Sequence, residues 1–120
     1  MFEVSVSTSF PAKHAVTISG IEEAPHYHDW KVLAVVSGDS LDSDKLLIDF
    51  LQLESDLEKI IAPLRDSDLN TNPVLQGNNP STEFVAMYIA NELVKKVKSP
   101  AHLDSITLTE APNCTATYRL

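Results

Sequence analysis

The apolar residues of this chain change period twice, and that change limits the folds open to it more than any other feature. Near the start, Phe2, Val4, Val6 and Phe10 alternate with Glu3, Ser5, Ser7 and Ser9, the two-residue period of a half-buried strand. After a loop, Asp29 to Ser37 carries Trp30, Val32, Leu33, Val35 and Val36 and is closed by Gly38, which reads as a second strand able to pair with the first. From Leu46 to Leu64 the spacing becomes three and four, through Phe50, Leu53, Leu57, Ile60 and Ile61, and predicts an amphipathic helix ended by Pro63. A second helix is predicted from Ser81 or Thr82 as N-cap, with Glu83 in its first turn, Phe84, Met87, Tyr88, Val94 and Val97 inward and a basic last turn. The shorter period then returns in "SITLTEA" and "CTATYRL", which flank the turn "PN" as a closing hairpin.

The order strand, strand, helix, helix, strand, strand, without repeats or low-complexity tracts, predicts an α+β domain: an antiparallel sheet covered on one face by two helices. With 120 residues, the chain is expected to form one domain, 1–120, burying about two-thirds of its unfolded surface. The connection "RDSDLNTNPVLQGNNP" holds four Asn, two Pro and a Gly, and a loop of that length inside a compact domain is often functional.

Charge and cysteine content remove several function classes. Seventeen acidic residues against nine basic ones give a net charge of -8, so nucleic acid is not an expected partner, although a local basic pocket for a small anion is still allowed. No apolar run approaches the roughly 20 residues of a membrane span, and the alternating N-terminus lacks the basic start of a signal peptide, so no membrane partner and a cytoplasmic location are expected. Cys114 is the sole cysteine, which excludes an intrachain disulfide and a cysteine-rich zinc cluster. It is expected to be a small core residue on the last strand. A metal here must be held by nitrogen and oxygen.

The stretch "PHYHDW" supplies candidates. On a strand His26 and His28 point to one side, at a spacing suited to one tetrahedral metal, and His14 lies where a neighbouring strand could bring it alongside. Three neutral imidazoles leave one coordination position open, as in catalytic zinc sites; the other reading is a pair of exposed loop histidines. His102 stands alone after Pro100 and is read as an ordinary surface residue.

Five stretches in order, "FPAKH", "HYHDW", "LIDFLQLESDLEKIIAPL" with its Asp49-Phe50 pair, "NPSTEFVAMYIANEL" and "LTEAPNCTATYR", resemble the 6-pyruvoyltetrahydropterin synthase and 6-carboxytetrahydropterin synthase family from Phe2 to Arg119. The resemblance implies the tunnelling fold, a four-stranded antiparallel sheet with two helices on one face. It implies trimers stacked into a hexamer around a β-barrel, and zinc on His14, His26 and His28. It also implies a reduced pterin substrate such as dihydroneopterin triphosphate, with Glu110 holding the ring's amino and N3 hydrogens and Thr82 and Glu83 lining the same pocket. Glu110 also reads as a solvated strand-end residue, and Thr82 and Glu83 as the cap and first-turn carboxylate of a helix.

Two departures from the family pattern bear on the reaction. Where the family has a catalytic cysteine, four residues before the first histidine of the pair, this chain has Glu22, with Glu23 beside it. Where the family reads roughly "PLDHxxLN", this chain reads "PLRDSDLN", with Arg65 at the aspartate and Asp66 at the histidine. A histidine that titrates near neutrality has thus become a carboxylate. Two outcomes are open. One is an altered lyase reaction, such as aldolase-like cleavage to a hydroxymethylpterin, with Glu22 or Glu23 as base, Asp66 as its carboxylate partner and Arg65 binding an anionic group. The other is a zinc- and pterin-binding homologue without the parent activity.

Overall fold

The computed structural model describes all of residues 1–120. In chain order the elements are β1 (Phe2–His14), β2 (Thr17–Ile18), β3 (Ile21–Glu22), β4 (His26–Gly38), α1 (Phe50–Ile61), β5 (Ser67–Asp68), α2 (Thr82–Leu93), β6 (His102–Ala111) and β7 (Cys114–Arg119). One turn of 3-10 helix, Pro73–Leu75, precedes α2. The main sheet runs β5-β1-β4-β6-β7, with both helices packed on one face. The α+β class is as expected, and the four long strands are antiparallel. The two-residue β5, which pairs in parallel with Ala12 and Lys13, makes a fifth strand that the sequence did not signal.

β1 and β4 pair along their whole length, from Phe2 opposite Gly38 to His14 opposite His26. Both strands therefore extend past their apolar runs into segments that read as loop. Between them Ser19 and Gly20, both at positive φ, turn a small β2-β3 hairpin, the backbone that a two-residue type I′ turn requires. Asp49 caps α1 by accepting from the Leu51 N–H, and Leu53, Leu57 and Ile61 face the core. Ser81 caps α2 by accepting from the Phe84 N–H.

The inward face of α2 differs from expectation. Val85, Ala86, Ile89, Ala90 and Leu93 are buried, whereas Phe84 and Tyr88 flank the core and Val94 is 40 % exposed. This helix is apolar on two adjacent stripes, so spacing alone fits either; the stripe with two alanines lets the backbone approach the sheet more closely. No helix is long and apolar enough to cross a membrane.

The connection after α1 is tied to the end of β1 by asparagine side chains that act as extra backbone amides. Asn70 accepts from the Ala15 N–H at 2.7 Å and donates to the Ala15 carbonyl at 2.8 Å. Asn79 does the same with Thr17, at 2.9 Å in each direction. These bonds fix Pro80 and the start of α2 beside His14.

Candidate metal and ligand site

The site is the polar end of the inward-facing rows. On β1 the row passes Phe10 and Ala12 to His14; on β4 it passes Trp30 to His28 and His26; on β6 it passes Ile106 and Leu108 to Glu110. Direct pairing of His14 with His26 and of Ala12 with His28 puts the three imidazoles on one patch. Thr109 pairs with Lys31 on the outer face, so Glu110 turns inward, and the register shift between Thr109 and Ala111 bends the strand there. One ligand atom from each of His14, His26, His28 and Glu110 lies within 4.8 Å of the others.

Hydrogen bonds behind the rings fix what those atoms present. The Nδ1–H of buried His14 donates to the Pro80 carbonyl at 2.8 Å, and that of His26 donates to the Ala24 carbonyl at 3.1 Å. A carbonyl only accepts, so in the neutral ring each proton sits on Nδ1 and each Nε2 carries a lone pair. Those two Nε2 atoms are 2.8 Å apart. Glu110 Oε1 touches His14 Nε2 and lies 3.3 Å from His26 Nε2 and 3.5 Å from His28 Nε2. Lone pairs and a carboxylate oxygen crowded this closely repel unless they share a cation, either a proton on one Nε2 or a metal ion. Neutral imidazoles backed by carbonyl acceptors, with a carboxylate, are the donor set of a zinc site, so the residues present fit the metal. The Trp30 ring stands edge-on to His14 with centroids 4.7 Å apart and donates its indole N–H to the Ala12 carbonyl at 3.2 Å.

The same contacts shift the protonation equilibria. Burial pulls the His26 pKa down, but the Ala24 carbonyl, the bond to Glu110 and the charge of Glu23 outweigh it and leave the value raised. Burial and the charge of His26 lower that of His28. Burial pushes Glu110 up, but bonds from His26 and Thr82 and the nearby His14 more than offset it, so its carboxyl stays ionised to lower pH than usual.

Of the other expected residues, Thr82 donates to Glu110 Oε2 at 2.9 Å, and Thr82 and Glu83 line the cavities that open beside Glu110. Glu23 lines the same cavity as His26, with Oε1 3.8 Å from His26 Nε2, and accepts from the Val16 N–H at 3.0 Å. Glu22 is exposed on the small hairpin opposite Thr17 and does not line that cavity. Within one chain Arg65 and Asp66 are not brought to the cluster. Arg65 pairs with Glu58 at 2.5 Å, and Asp66 is exposed at positive φ with its N–H on the Pro11 carbonyl. Cys114, expected in the core, is exposed at the start of edge strand β7 and borders the cavity that holds Thr82 and Glu110.

Sequence reasoning missed three contributors. Pro80 acts through its carbonyl, 66 positions from His14, and no local pattern announces that. Lys31 lines a cavity of about 370 Å³ with His28 and Glu110 and takes part in no ion pair; its place one step after the inward Trp30 on β4 was the available signal. Trp30 was read as a strand residue, but its contact with His14 needs the pairing register.

The sequence model of one family, described as 6-pyruvoyl tetrahydropterin synthase, matches residues 3–120. A dihydroneopterin monophosphate aldolase from Pyrococcus furiosus is 30 % identical over 102 residues, covering 85 % of this chain and 83 % of the relative. Among solved structures, the 6-pyruvoyl tetrahydropterin synthase of Caenorhabditis elegans superposes with a TM-score of 0.86 at 17 % identity, over 99 % of this chain and 95 % of the other. A Plasmodium vivax 6-pyruvoyltetrahydropterin synthase, in a form with a catalytic glutamate changed to alanine, superposes with a TM-score of 0.80 at 18 % identity, over 99 % and 97 %.

Proposed function

The chain belongs to the 6-pyruvoyl tetrahydropterin synthase family, and from that premise we propose that it is a zinc-dependent lyase that cleaves the C6 side chain of a phosphorylated dihydroneopterin in the manner of an aldolase. The observation that carries this reading is the convergence of His14, His26, His28 and Glu110, with Glu23 beside His26 and the one thiol, Cys114, on a cavity that none of the three histidines lines. The aldolase named among the relatives supports a carbon-carbon cleavage over the parent reaction. A catalytic glutamate in the similar Plasmodium vivax enzyme supports a carboxylate base.

Zinc held by the three histidines would supply Lewis-acid polarisation of the side-chain oxygens. The remaining work belongs to the chain. Glu110, oriented by Thr82, accepts the amino and N3 hydrogens of the ring, a charge-assisted pairing across a guanidine-like edge. Glu23, held by the Val16 N–H and bordering the cavity, takes the proton of the C2′ hydroxyl, a role that falls to it rather than to Glu22, which does not border the cavity. The C1′–C2′ bond then breaks, its electron pair passes into the dihydropterin ring, and a proton returned to C1′ leaves a hydroxymethyldihydropterin and an aldehyde that carries the phosphate. Arg65 and Asp66 would act only on the site of a neighbouring copy, as part of the stacked trimers that the resemblance implies. The open edge of β7, the part of β1 before Pro11 that β5 leaves unpaired and the helix-free sheet face with Leu33 and Val35 suit such an assembly.

Incubating zinc-loaded protein with dihydroneopterin and with its mono- and triphosphates, then separating the fluorescent oxidised pterins, tests the reading. Hydroxymethylpterin is the expected product, and Glu23→Gln is expected to lower kcat by about 10²–10⁴-fold with Glu22→Gln near wild type. A pyruvoyl product overturns the aldolase reading. Zinc and pterin binding without turnover supports instead a binding homologue that has lost the parent activity.

A further inference from the structure

The edge of β1 that faces the long connection is filled one rung at a time. The Pro11 and Lys13 carbonyls accept from the backbone N–H groups of Asp66, at 2.7 Å, and Leu69, at 2.8 Å. Where that backbone leaves the strand, side chains take over at the same two-residue spacing. The Asn70 amide gives Ala15 a donor and an acceptor, and the Asn79 amide does the same for Thr17, at 2.9 Å each way. The last rung of this ladder is therefore a side-chain amide, contributed by a residue 62 positions away.

The segment closed by that rung carries supports for two parts of the candidate site. On its opposite edge the Val16 carbonyl accepts from the Glu23 N–H and the Val16 N–H donates to Glu23 Oε1, each at 3.0 Å, which sets that carboxylate 3.8 Å from His26 Nε2. The residue after Asn79 is buried Pro80, whose carbonyl accepts from the His14 Nδ1–H at 2.8 Å. The Asn79 side chain bonds to no histidine and no glutamate; its partners are the two backbone groups of Thr17. Removing it unties the 15–17 segment from the start of α2, so that the carbonyl behind His14 and the amide behind Glu23 can shift independently.

We propose that Asn79 is a positioning residue for both the metal and the proton transfer, holding His14 through Pro80 and Glu23 through Thr17 and Val16 while bonding to neither. For Glu23 the inference rests on the role that the proposed function gives it. The tie sets the distance between metal and base. A reacting group displaced by about 1 Å costs up to about 100-fold in rate. The direct hydrogen-bond partner of a metal ligand is worth about 10–100-fold in affinity. Asn79 supports such a partner, Pro80, at one remove, so its share of the metal affinity is smaller.

Amide exchange and metal binding test the tie without turnover, and kinetics test its reach to Glu23. Asn79→Ala is compared with wild type, with Glu23→Gln, with the Asn79→Ala, Glu23→Gln double variant, and with Asn78→Ala, which removes a neighbouring amide that serves the Leu75 carbonyl instead. In the metal-free protein, hydrogen exchange of the Thr17 and Val16 amides is expected to quicken about tenfold in Asn79→Ala and to stay unchanged in Asn78→Ala. Zinc affinity, measured by competition with a chromophoric chelator, is expected to fall about 3–10-fold in Asn79→Ala, with an altered cobalt(II) spectrum, and to hold in Asn78→Ala. With dihydroneopterin monophosphate, kcat is expected to fall about 10–100-fold in Asn79→Ala at nearly constant KM, and the same substitution is expected to cost little more in Glu23→Gln. Unchanged exchange at Thr17 in Asn79→Ala overturns the whole inference. Zinc affinity and a cobalt spectrum equal to wild type overturn the part that concerns His14. A kcat loss that persists in full in Glu23→Gln, or a loss confined to KM, overturns the part that concerns Glu23. A wild type that turns over no pterin overturns the proposed function and the Glu23 part with it, while exchange and zinc affinity still decide the part that concerns His14. Melting curves of the metal-free variants separate a moved ligand from a lost fold.

Discussion

The two ends of the β1-β4 ribbon each place a histidine beside a paired strand, and only one end builds a site. At one end His14 and His26 have their Nδ1–H groups on backbone carbonyls, so their lone pairs face each other and Glu110 with no donor between them. At the other end His102 pairs across the sheet with Ser37, and its Nε2 meets the Ser37 hydroxyl at 2.9 Å, a group that can both give and accept a proton. The first arrangement is incomplete without a cation. The second is complete in itself. What separates a metal site from a structural histidine here is what stands behind the ring, since both ends supply exposed space and neighbouring strands.

Removing ligands should break that contrast most sharply. A His26→Ala, His28→Ala double variant is expected to lose zinc by more than about 100-fold, beyond the usual cost of a second-shell change, and to stay folded, since both side chains lie outside the apolar core. His102→Ala should bind zinc as wild type does. Metal analysis with circular dichroism on both proteins checks this, and a metal-free wild type would remove the contrast altogether.

The sequence announced the site better than it announced its supports. Alternation on β1 and β4 made the two long strands legible, and HxH spacing put His26 and His28 on one face before any pairing was known. The extension of both strands to His14 and His26 was not legible, because Pro11 to His14 and Pro25 to His28 lack apolar alternation; pairing across the ribbon supplies what propensity does not. The face of α2 was misread because Ala86 and Ala90 carry little hydrophobic signal although they allow the closest approach. Glu23 could not be told from Glu22 by counting, as a one-residue offset in a hairpin decides which carboxylate borders the cavity. Pro80 and Asn79 act over separations of more than 60 residues through backbone-like contacts that no side-chain pattern encodes.

Trp30 links the apolar core to the histidines, and substitutions there grade the contrast. Trp30 is fully buried, so Trp30→Ala should cost about 3–5 kcal/mol of stability and loosen His14 with it. Trp30→Phe keeps a ring against His14 but loses the bond to the Ala12 carbonyl, a loss of about 1 kcal/mol. Denaturant titrations measure both. In wild type this is the only tryptophan, so cobalt(II) binding beside it should quench the protein's tryptophan fluorescence.

Acid distinguishes the metal-loaded from the metal-free state. In the metal-free protein the raised His26 value adds stability below its ordinary 6.5 that fades as pH rises through the folded value, whereas the lowered His28 value takes stability away over the same acid range. The two contributions to metal-free stability therefore oppose each other as pH falls. Zinc needs both rings neutral, so as pH is lowered its affinity should begin to fall while the pH is still above 6.5, because the His26 value is raised, and should drop by about tenfold per pH unit for each proton displaced. A zinc-dependent rise in Tm that is constant from pH 7.5 to 5.5 would contradict this assignment of His26.

The smallest effects lie at the opposite end of the ribbon, where they run in an unequal order. Ser37 is 4 % exposed and its hydroxyl has His102 as its only side-chain partner, whereas His102 is exposed to solvent. Ser37→Ala removes the buried group and leaves an imidazole that water can satisfy, so it should cost about 0.5–1.5 kcal/mol. His102→Ala leaves the buried hydroxyl without that partner, so it should cost more, about 1–3 kcal/mol. Neither should move zinc affinity. Chemical denaturation of the two single variants, with and without zinc, gives both numbers; equal costs would mean that water reaches Ser37 and that this end of the ribbon is looser than its burial suggests.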